Sequence, residues 1–508
     1  MTDSGTATVG AIDLGAVLLI LILTLFGLAS IVVGAFFRRR GRFMAAWLSA
    51  VGFIAACAVC AVSIGRGERA EGFGGVYVLD DFTFGLVLPC AISGLLTVLL
   101  GLRFLRGLRH GAGELCGLLL LATAGMAVMA GAQDLIVGFF GLELMSIPLY
   151  VLAGYSREDR RSNEAGLKYL MIGSVSSAVM IYGLALVYAA FGTANLAILS
   201  HSRLSPPTAP GGESLQVGLA ATGMALTVVG LAFKAALAPF HMWCPDVYEG
   251  SATPITAFLS VGPKIAALGL LFRALLIGFG PLAVWWLQPV AVLSALSMTV
   301  GNLGALQQTK AKRMLAYSSI AHAGYMLMAV VAGGAMQVAG ASGLGETAVA
   351  LVFYALAYAF MGVGAFAVVS KLCRDDRDDV DIDRFRGLAA NHPWSAGGLA
   401  LFMISLTGIP ITAGFFAKAV LFLVAADAGV LWLVVVAALN SVVSAFYYLR
   451  PVALTVMHEE DDDARAAWAP TAGASWVMIL SAGGVVLLAF FPRLVLDAAS
   501  ALAKSIVP

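Results

Sequence analysis

Apolar runs of about 20 residues, separated by short polar breaks, recur along the whole chain. They fall at 14–37, 43–64, 79–102, 113–131, 134–155, 166–191, 217–240, 254–278, 282–305, 314–333, 347–370, 396–424, 430–456 and 473–491. A bilayer's hydrocarbon core is crossed by ~20 apolar residues in a helix. Because lipid offers no hydrogen bonds, each span must satisfy its own backbone groups. The pattern therefore predicts an all-α polytopic membrane protein with about fourteen transmembrane helices. The first run is too long for a signal-peptide core, and its basic residues Arg38, Arg39, Arg40 and Arg42 follow it. It reads as a retained span, not a cleaved signal, and no mitochondrial-type presequence is expected.

Composition agrees. The 508 residues are 60% hydrophobic and 12% charged, with mean hydropathy +0.94, whereas a soluble chain carries about a quarter of its residues as charges. Net charge is +1, and no basic patch interleaved with aromatics appears, so a nucleic-acid partner is not expected. Orientation follows from loop Lys and Arg. With the Arg38–Arg42 loop in the cytoplasm, 20 of the 30 basic residues fall in inside loops, 5 fall outside and 5 lie within spans. This places both termini outside. Six cysteines show no zinc or iron–sulfur spacing, and the Cys57/Cys60 pair, inside a span, reads as apolar filler. Two acidic runs, DDRDDVDIDR at 375–384 and EEDDD at 459–463, read as solvated cytoplasmic loops, with cation binding the alternative.

Ionisable residues inside spans are functional candidates, because each costs roughly 2.5–3.5 kcal/mol even on the lenient insertion scale. Glu143, Lys234, Lys264 and Lys418 stand out. Lys168 and Arg273 lie near span ends, where a long side chain can snorkel to the interface, and that is the expectation for both. Prolines accompany two of the lysines. In GLAFKAALAPFH, Pro239 cannot donate to the carbonyl of Ala235, next to Lys234. In GIPITAGFFAKAV, Pro410 frees the carbonyl of Leu406, within reach of a loop that precedes Lys418 by about a turn. Irregular backbone at membrane depth is tolerated only in protein or beside water. Burial disfavours a lysine's charged form and a nearby carboxylate favours it, so a lysine at such a break can exchange a proton when its partner moves.

The two lysine-bearing breaks, AFKA in the seventh span and FAKA in the twelfth, lie five spans apart. This suggests a duplicated five-helix unit, spans four to eight and nine to thirteen. An odd helix number inverts the second copy, as in transporters built from inverted repeats with broken helices. His322, within the tenth span, is a candidate proton relay between the lysine sites or a satisfied structural histidine. His241, in APFHMWCPDVYEGS, is a structural residue or a candidate for the proton's access path.

These residues carry a resemblance. From about residue 80 to 457 the chain resembles the antiporter-like membrane subunits of respiratory complex I, the bacterial NADH:quinone oxidoreductase, and most closely the N-type subunits. GLELMSIPLYVLAGY, EAGLKYLMIGSVSSAVMIYG, FKAALAPFHMWCPDVYEGSATPITAFLSVGPK and KRMLAYSSIAHAGYML carry it, and PDVYEGSATPITAFLSVGPK is the most specific stretch. The resemblance implies three N-terminal helices (1–105), a first antiporter-like repeat (113–278), a second (281–457), and a C-terminal helix and tail (472–508), with spans seven and twelve discontinuous. It also implies that Glu143 pairs with Lys234, that Lys264 connects the half-channels, and that Lys418 stands near the exit. M-type subunits have a glutamate at this last position, and L-type subunits continue into a long lateral helix; neither feature is found here. The implied function is proton translocation driven by quinone reduction elsewhere in the complex. Its partners would be the other membrane and peripheral subunits and the lipid bilayer, in the bacterial cytoplasmic (inner) membrane. No cofactor or metal is expected in this chain; NAD, FMN, iron–sulfur clusters and quinone are expected in other subunits. The alternatives are a subunit of a multisubunit cation/proton antiporter, which the YEGSATPITAFLS stretch disfavours, and a passive spacer, which the buried charges disfavour.

Overall fold

The computed structural model describes residues 14–67, 69–107, 111–201, 213–373, 380–458, 471–493 and 496. It is a helical bundle. Among the described residues, thirteen helices are long and apolar enough to cross a membrane. The twelfth apolar run escapes that count because it is broken in two, Pro393–Thr407 and Ala413–Asp427. Together they give the fourteen spans the hydropathy pattern predicts. The seventh run is broken as well: its helix, Glu213–Lys234, stops at Lys234, and the chain resumes as a short helix, Trp243–Gly250. The breaks occupy the fourth position of each five-span set, spans four to eight and nine to thirteen. Of the two acidic runs, EEDDD and residues 375–379 lie outside the described residues.

Span ends are set by local chemistry. Asp80 and Asp134 cap the third and fifth spans (Asp81–Leu100 and Leu135–Ala153), accepting hydrogen bonds from the amides of Thr83 and Ile136. Gly408, at φ 85°, closes the first half of the twelfth span in the left-handed conformation that suits glycine. In the broken seventh span Ala236 has φ 56°, and the amide of Leu237 reaches back five residues to the carbonyl of Ala232.

The connections sort into two sides. A two-stranded hairpin, β1 (Ala70–Gly72) with β2 (Tyr77–Leu79), follows the second span, Arg38–Ser63. Tyr77 bridges to Ala132, and Asp134 to Asn195, so the second, fourth and sixth connections meet. On the opposite side, Arg42 donates to the carbonyl of Arg106, Tyr155 donates to that of Gly111, and Lys310 bridges to Asp381. These contacts join the first to the third, the third to the fifth, and the ninth to the eleventh connection. Strict alternation of spans requires this sorting, and one uncounted span would have destroyed it.

The eighth span, Thr253–Phe272 continued by a π-helical turn at Arg273–Gly278, is buried at every residue. The tenth, Ala311–Val338, and eleventh, Leu344–Ser370, are nearly as enclosed. These three helices form the centre, while the sixth and thirteenth (Arg160–Phe191 and Leu431–Met457) are among those with large exposed apolar faces. The enclosed position corrects one expectation. Arg273 does not snorkel: it is 0% exposed and pairs with Asp80 at 2.6 Å. Neighbouring helices bury the whole turn that it begins, so no lipid or water surface lies within the side chain's reach. Lys168 does reach the surface, pairing with Glu164 at 2.7 Å and with Asp246 at 3.1 Å.

Candidate functional site

The break in the seventh span places Lys234 at the last turn of its helix, fully buried. Its ammonium donates to the hydroxyl of Tyr150 on the fifth span at 2.6 Å. It also stands 4.8 Å from the Tyr150 ring centre, 5.8 Å from that of Tyr169 and 5.7 Å from that of Phe233. Aromatic faces attract a cation, more strongly when water is excluded, so the box compensates part of the burial cost. Trp243 closes the box from behind. It stacks on Tyr169 at 4.4 Å, and its indole N–H donates to the carbonyl of Phe233 at 3.0 Å. That carbonyl also accepts from the amide of Ala236, so the indole and the backbone of the break share it.

Glu143, on the fifth span, is partly exposed and accepts a 2.5 Å hydrogen bond from Ser177 of the sixth. The pairing with Lys234 that the resemblance implies is not a direct contact in this structure: each group is held by a different hydroxyl.

Lys264 sits in the fully buried eighth span. Its ammonium donates to Ser319 at 2.5 Å and lies 3.9 Å from the sulfur of Cys244. The Tyr248 ring is 5.5 Å away. Cys244 and Tyr248 come from the short helix after the break, so the broken span serves two lysines, one from each side. His322 follows Ser319 on the tenth span by about one helical turn. Its ring nitrogens lie 2.8 Å from the Tyr354 hydroxyl and 3.1 Å from that of Tyr448. His241 is half-buried beside the break, with its ring 6.4 Å from Tyr317; its Nδ1 has no hydrogen-bond partner among the described residues.

Lys418 takes up the carbonyls that the twelfth-span break releases. It donates to Thr407 at 2.7 Å and to Leu406 at 3.4 Å, and also to Ser441 at 3.1 Å. Ser441 in turn lies 3.2 Å from the hydroxyl of Tyr325, whose ring centre is 4.8 Å from the ammonium. The break is tightly built: a Cβ on Gly414 would collide with the Ser405 carbonyl oxygen. Gly414→Ala is therefore expected to force the two half-helices apart and to lower assembled protein severalfold, measured by quantitative blotting of membranes. Wild-type levels with wild-type turnover would show that the break tolerates a wider crossing.

The structure thus gathers Lys234, Lys264, His322 and Lys418 in the enclosed interior, with Glu143 at the edge. Sequence reasoning missed the hydroxyls between them. The thirteenth span carries Asn440, Ser441, Ser444, Tyr447 and Tyr448 on one helical face turned to the interior. Their spacing in LNSVVSAFYYLR, three and four residues apart, could have revealed that polar face. Two of its members reach the candidates, Ser441 touching Lys418 and Tyr448 touching His322. On the side opposite the hairpin, Arg313 pairs with Asp246 at 2.9 Å and with Glu249 at 2.8 Å, anchoring the short helix that holds Cys244 and Tyr248.

Comparison with known proteins adds independent findings. Residues 132–444 match the family described as NADH:quinone oxidoreductase/Mrp antiporter, TM. NADH-quinone oxidoreductase subunit N of Trichlorobacter lovleyi is 39% identical, over 97% of this chain and 98% of the relative. Subunit N 1 of Solibacter usitatus is 40% identical, over 94% and 95%. Among solved structures, a chain of respiratory complex I from Thermus thermophilus with bound aureothin superposes with TM-score 0.78 at 34% identity, covering 95% of this chain and 99% of that one. A chain of the Mrp complex from Dietzia sp. shares the fold, with TM-score 0.80 at 20% identity, over 98% and 100%.

Proposed function

Because this chain belongs to the NADH:quinone oxidoreductase/Mrp antiporter membrane family, and within it to the N subunits of NADH-quinone oxidoreductase, we propose that its buried lysines carry protons across the membrane on behalf of that complex. It is a multi-pass membrane subunit of a bacterial respiratory oxidoreductase, and its partners are the other subunits of complex I. Its own part is translocation, not redox chemistry: NAD, FMN, the iron–sulfur clusters and quinone belong to other subunits. One observation carries the reading. Lys234, Lys264 and Lys418 are buried in the interior of the bundle, and each is held by a hydroxyl that can both give and take a proton.

A change of charge or hydration at a neighbouring subunit alters the environment of Glu143 and hence the proton affinity of Lys234. The proton moves on to Lys264, then by Ser319, His322 and the hydroxyls of the thirteenth span to Lys418, and is released outward. His241, beside the seventh-span break, serves the access path. The basic-residue bias puts the Arg42, Arg106 and Arg313 side in the cytoplasm and both termini outside. Purification of the chain from native membranes in mild detergent tests the assignment. Flavin and iron–sulfur subunits are expected to accompany it, with NADH-driven proton uptake in proteoliposomes that needs no sodium. Recovery with small antiporter-type partners alone, and no NADH–quinone activity, would reject it.

A further inference from the structure

The thirteenth span, Leu431–Met457, turns much of its surface outward, with Leu439, Val442 and Phe446 exposed. Lipid tails are as apolar as those side chains, so that side does not set how the helix is rotated about its axis. The interior side is gripped by polar groups of the ninth span, Ala283–Leu306. Asn302 there is fully buried and takes no part in the route described above. Its amide nitrogen donates to the carbonyl of Met298 at 2.8 Å and to the side-chain oxygen of Asn440 at 3.2 Å. Its amide oxygen accepts from the hydroxyl of Tyr447 at 2.8 Å. Asn440 in turn donates to Thr299 at 3.2 Å and to the carbonyl of Val436 at 3.0 Å. Asn440 and Tyr447 stand two turns apart on one helical face. A long side chain on a helix leans back toward its N-terminus, so one asparagine can hold both. The ninth span is itself fixed against the tenth, Ala311–Val338. At Gly301, next to Asn302, a Cβ would collide with the backbone nitrogen of Ala321, next to His322.

Ser441 and Tyr448 each follow one of the gripped residues by one position, about 100° round the helix. Ser441 accepts from Lys418 at 3.1 Å, and the Tyr448 hydroxyl lies 3.1 Å from His322. The stripe that holds the ninth span therefore sets where the neighbouring stripe points. We propose that Asn302 is a positioning residue for proton transfer: through Asn440 and Tyr447 it fixes the rotation of the thirteenth span, and so keeps Ser441 on Lys418 and Tyr448 at His322. This inference rests on the translocation reading above. The amide of Asn302 neither gains nor loses a proton; it acts through the hydroxyls that it places. A single buried asparagine sets register between coiled-coil helices in the same way, because few alignments satisfy its polar atoms.

The test is a double-mutant cycle in complex purified and reconstituted into proteoliposomes. It compares Asn302→Leu, Tyr447→Phe and Ser441→Ala, singly and with each of the first two combined with the third, and takes Lys418→Ala as reference. Each rate is taken per assembled complex, so a loss of stability alone does not enter it. Asn302→Leu keeps a branched side chain and removes both polar atoms; Tyr447→Phe removes one oxygen. Each single variant is expected to slow proton pumping by roughly two- to tenfold, the range that hydrogen bonds between membrane helices govern. Adding Asn302→Leu or Tyr447→Phe to Ser441→Ala should then slow it little further, because the hydroxyl that they position is already gone. Full pumping by Asn302→Leu and Tyr447→Phe beside an impaired Lys418→Ala overturns the positioning role and leaves the translocation reading standing. Effects that multiply in the double variants also overturn it, since Asn302 would then act apart from Ser441. Wild-type pumping by Ser441→Ala does so too, because the hydroxyl placed on Lys418 would not matter. Full pumping by Lys418→Ala instead removes the translocation reading itself. Should Asn302→Leu fail to assemble, Tyr447→Phe with and without Ser441→Ala decides.

Discussion

Lys234→Ala and Lys418→Ala are each expected to lower NADH-driven proton pumping at least about tenfold, and arginine at either position is expected not to restore it. The alanine effect follows from the loss of the group that holds the proton; a positioned acid or base typically contributes roughly 10²- to 10⁴-fold, and water filling the vacated space recovers part. The arginine result is the more telling. Guanidinium keeps the charge and the donors, so it could still satisfy the carbonyls of Leu406 and Thr407 or the oxygen of Tyr150. It does not deprotonate in proteins. A charge that serves only to stabilise the bundle would be replaced by arginine with little loss, whereas a proton carrier would not. The measurement is the initial rate of proton uptake by proteoliposomes, with the proton-to-electron ratio beside it. Near-normal pumping and ratio in the alanine variants, with intact assembly, would reduce this chain to a passive spacer.

Arg273→Met is expected to destabilise the chain by about 3–5 kcal/mol, because it leaves the Asp80 carboxylate buried without its counter-charge. Asp80 is 1% exposed and Arg273 fully buried. The guanidinium donates to both Asp80 oxygens, at 2.6 and 2.8 Å, to Thr83 at 3.0 Å and to the Ala130 carbonyl at 2.7 Å. It therefore ties the end of the eighth span to the third and fourth. Adding Asp80→Asn should recover much of the loss, since breaking a buried pair costs more than replacing both of its charges. Thermal unfolding of the purified complex, followed by loss of this chain, checks both. Stability unchanged in Arg273→Met would mean that Asp80 is protonated or solvated without its partner.

Much of this site could be read in advance because its chemistry is local. Pro410 removes a donor wherever it sits, so the freed Leu406 carbonyl was foreseeable, and Lys418 does donate to it. At the other break the same reasoning reached only halfway. The helix ends at Lys234, but its partner is Tyr150, 84 residues earlier, and not a carbonyl of the break. Arg273 was misread because distance along a helix is a poor guide to distance from lipid: a residue near a span's end is exposed only if no neighbour covers it. Tyr150, Trp243, Tyr325 and Tyr448 went unnoticed because aromatic residues are ordinary in apolar runs; only their assembled positions show which ring or hydroxyl faces a charge.

The sequence by itself determined the number of spans, their alternation, the two breaks and the charged residues that the interior must accommodate. Each of these follows from the cost of placing a polar group or an unpaired backbone donor in hydrocarbon, and that cost arises residue by residue. Tertiary structure alone decided the partners: Ser177 for Glu143, Tyr150 for Lys234, Ser319 for Lys264, Ser441 for Lys418 and Asp80 for Arg273. Hydrogen bonds act over about 3 Å and depend on direction, so they are fixed only when helices distant in sequence pack face to face.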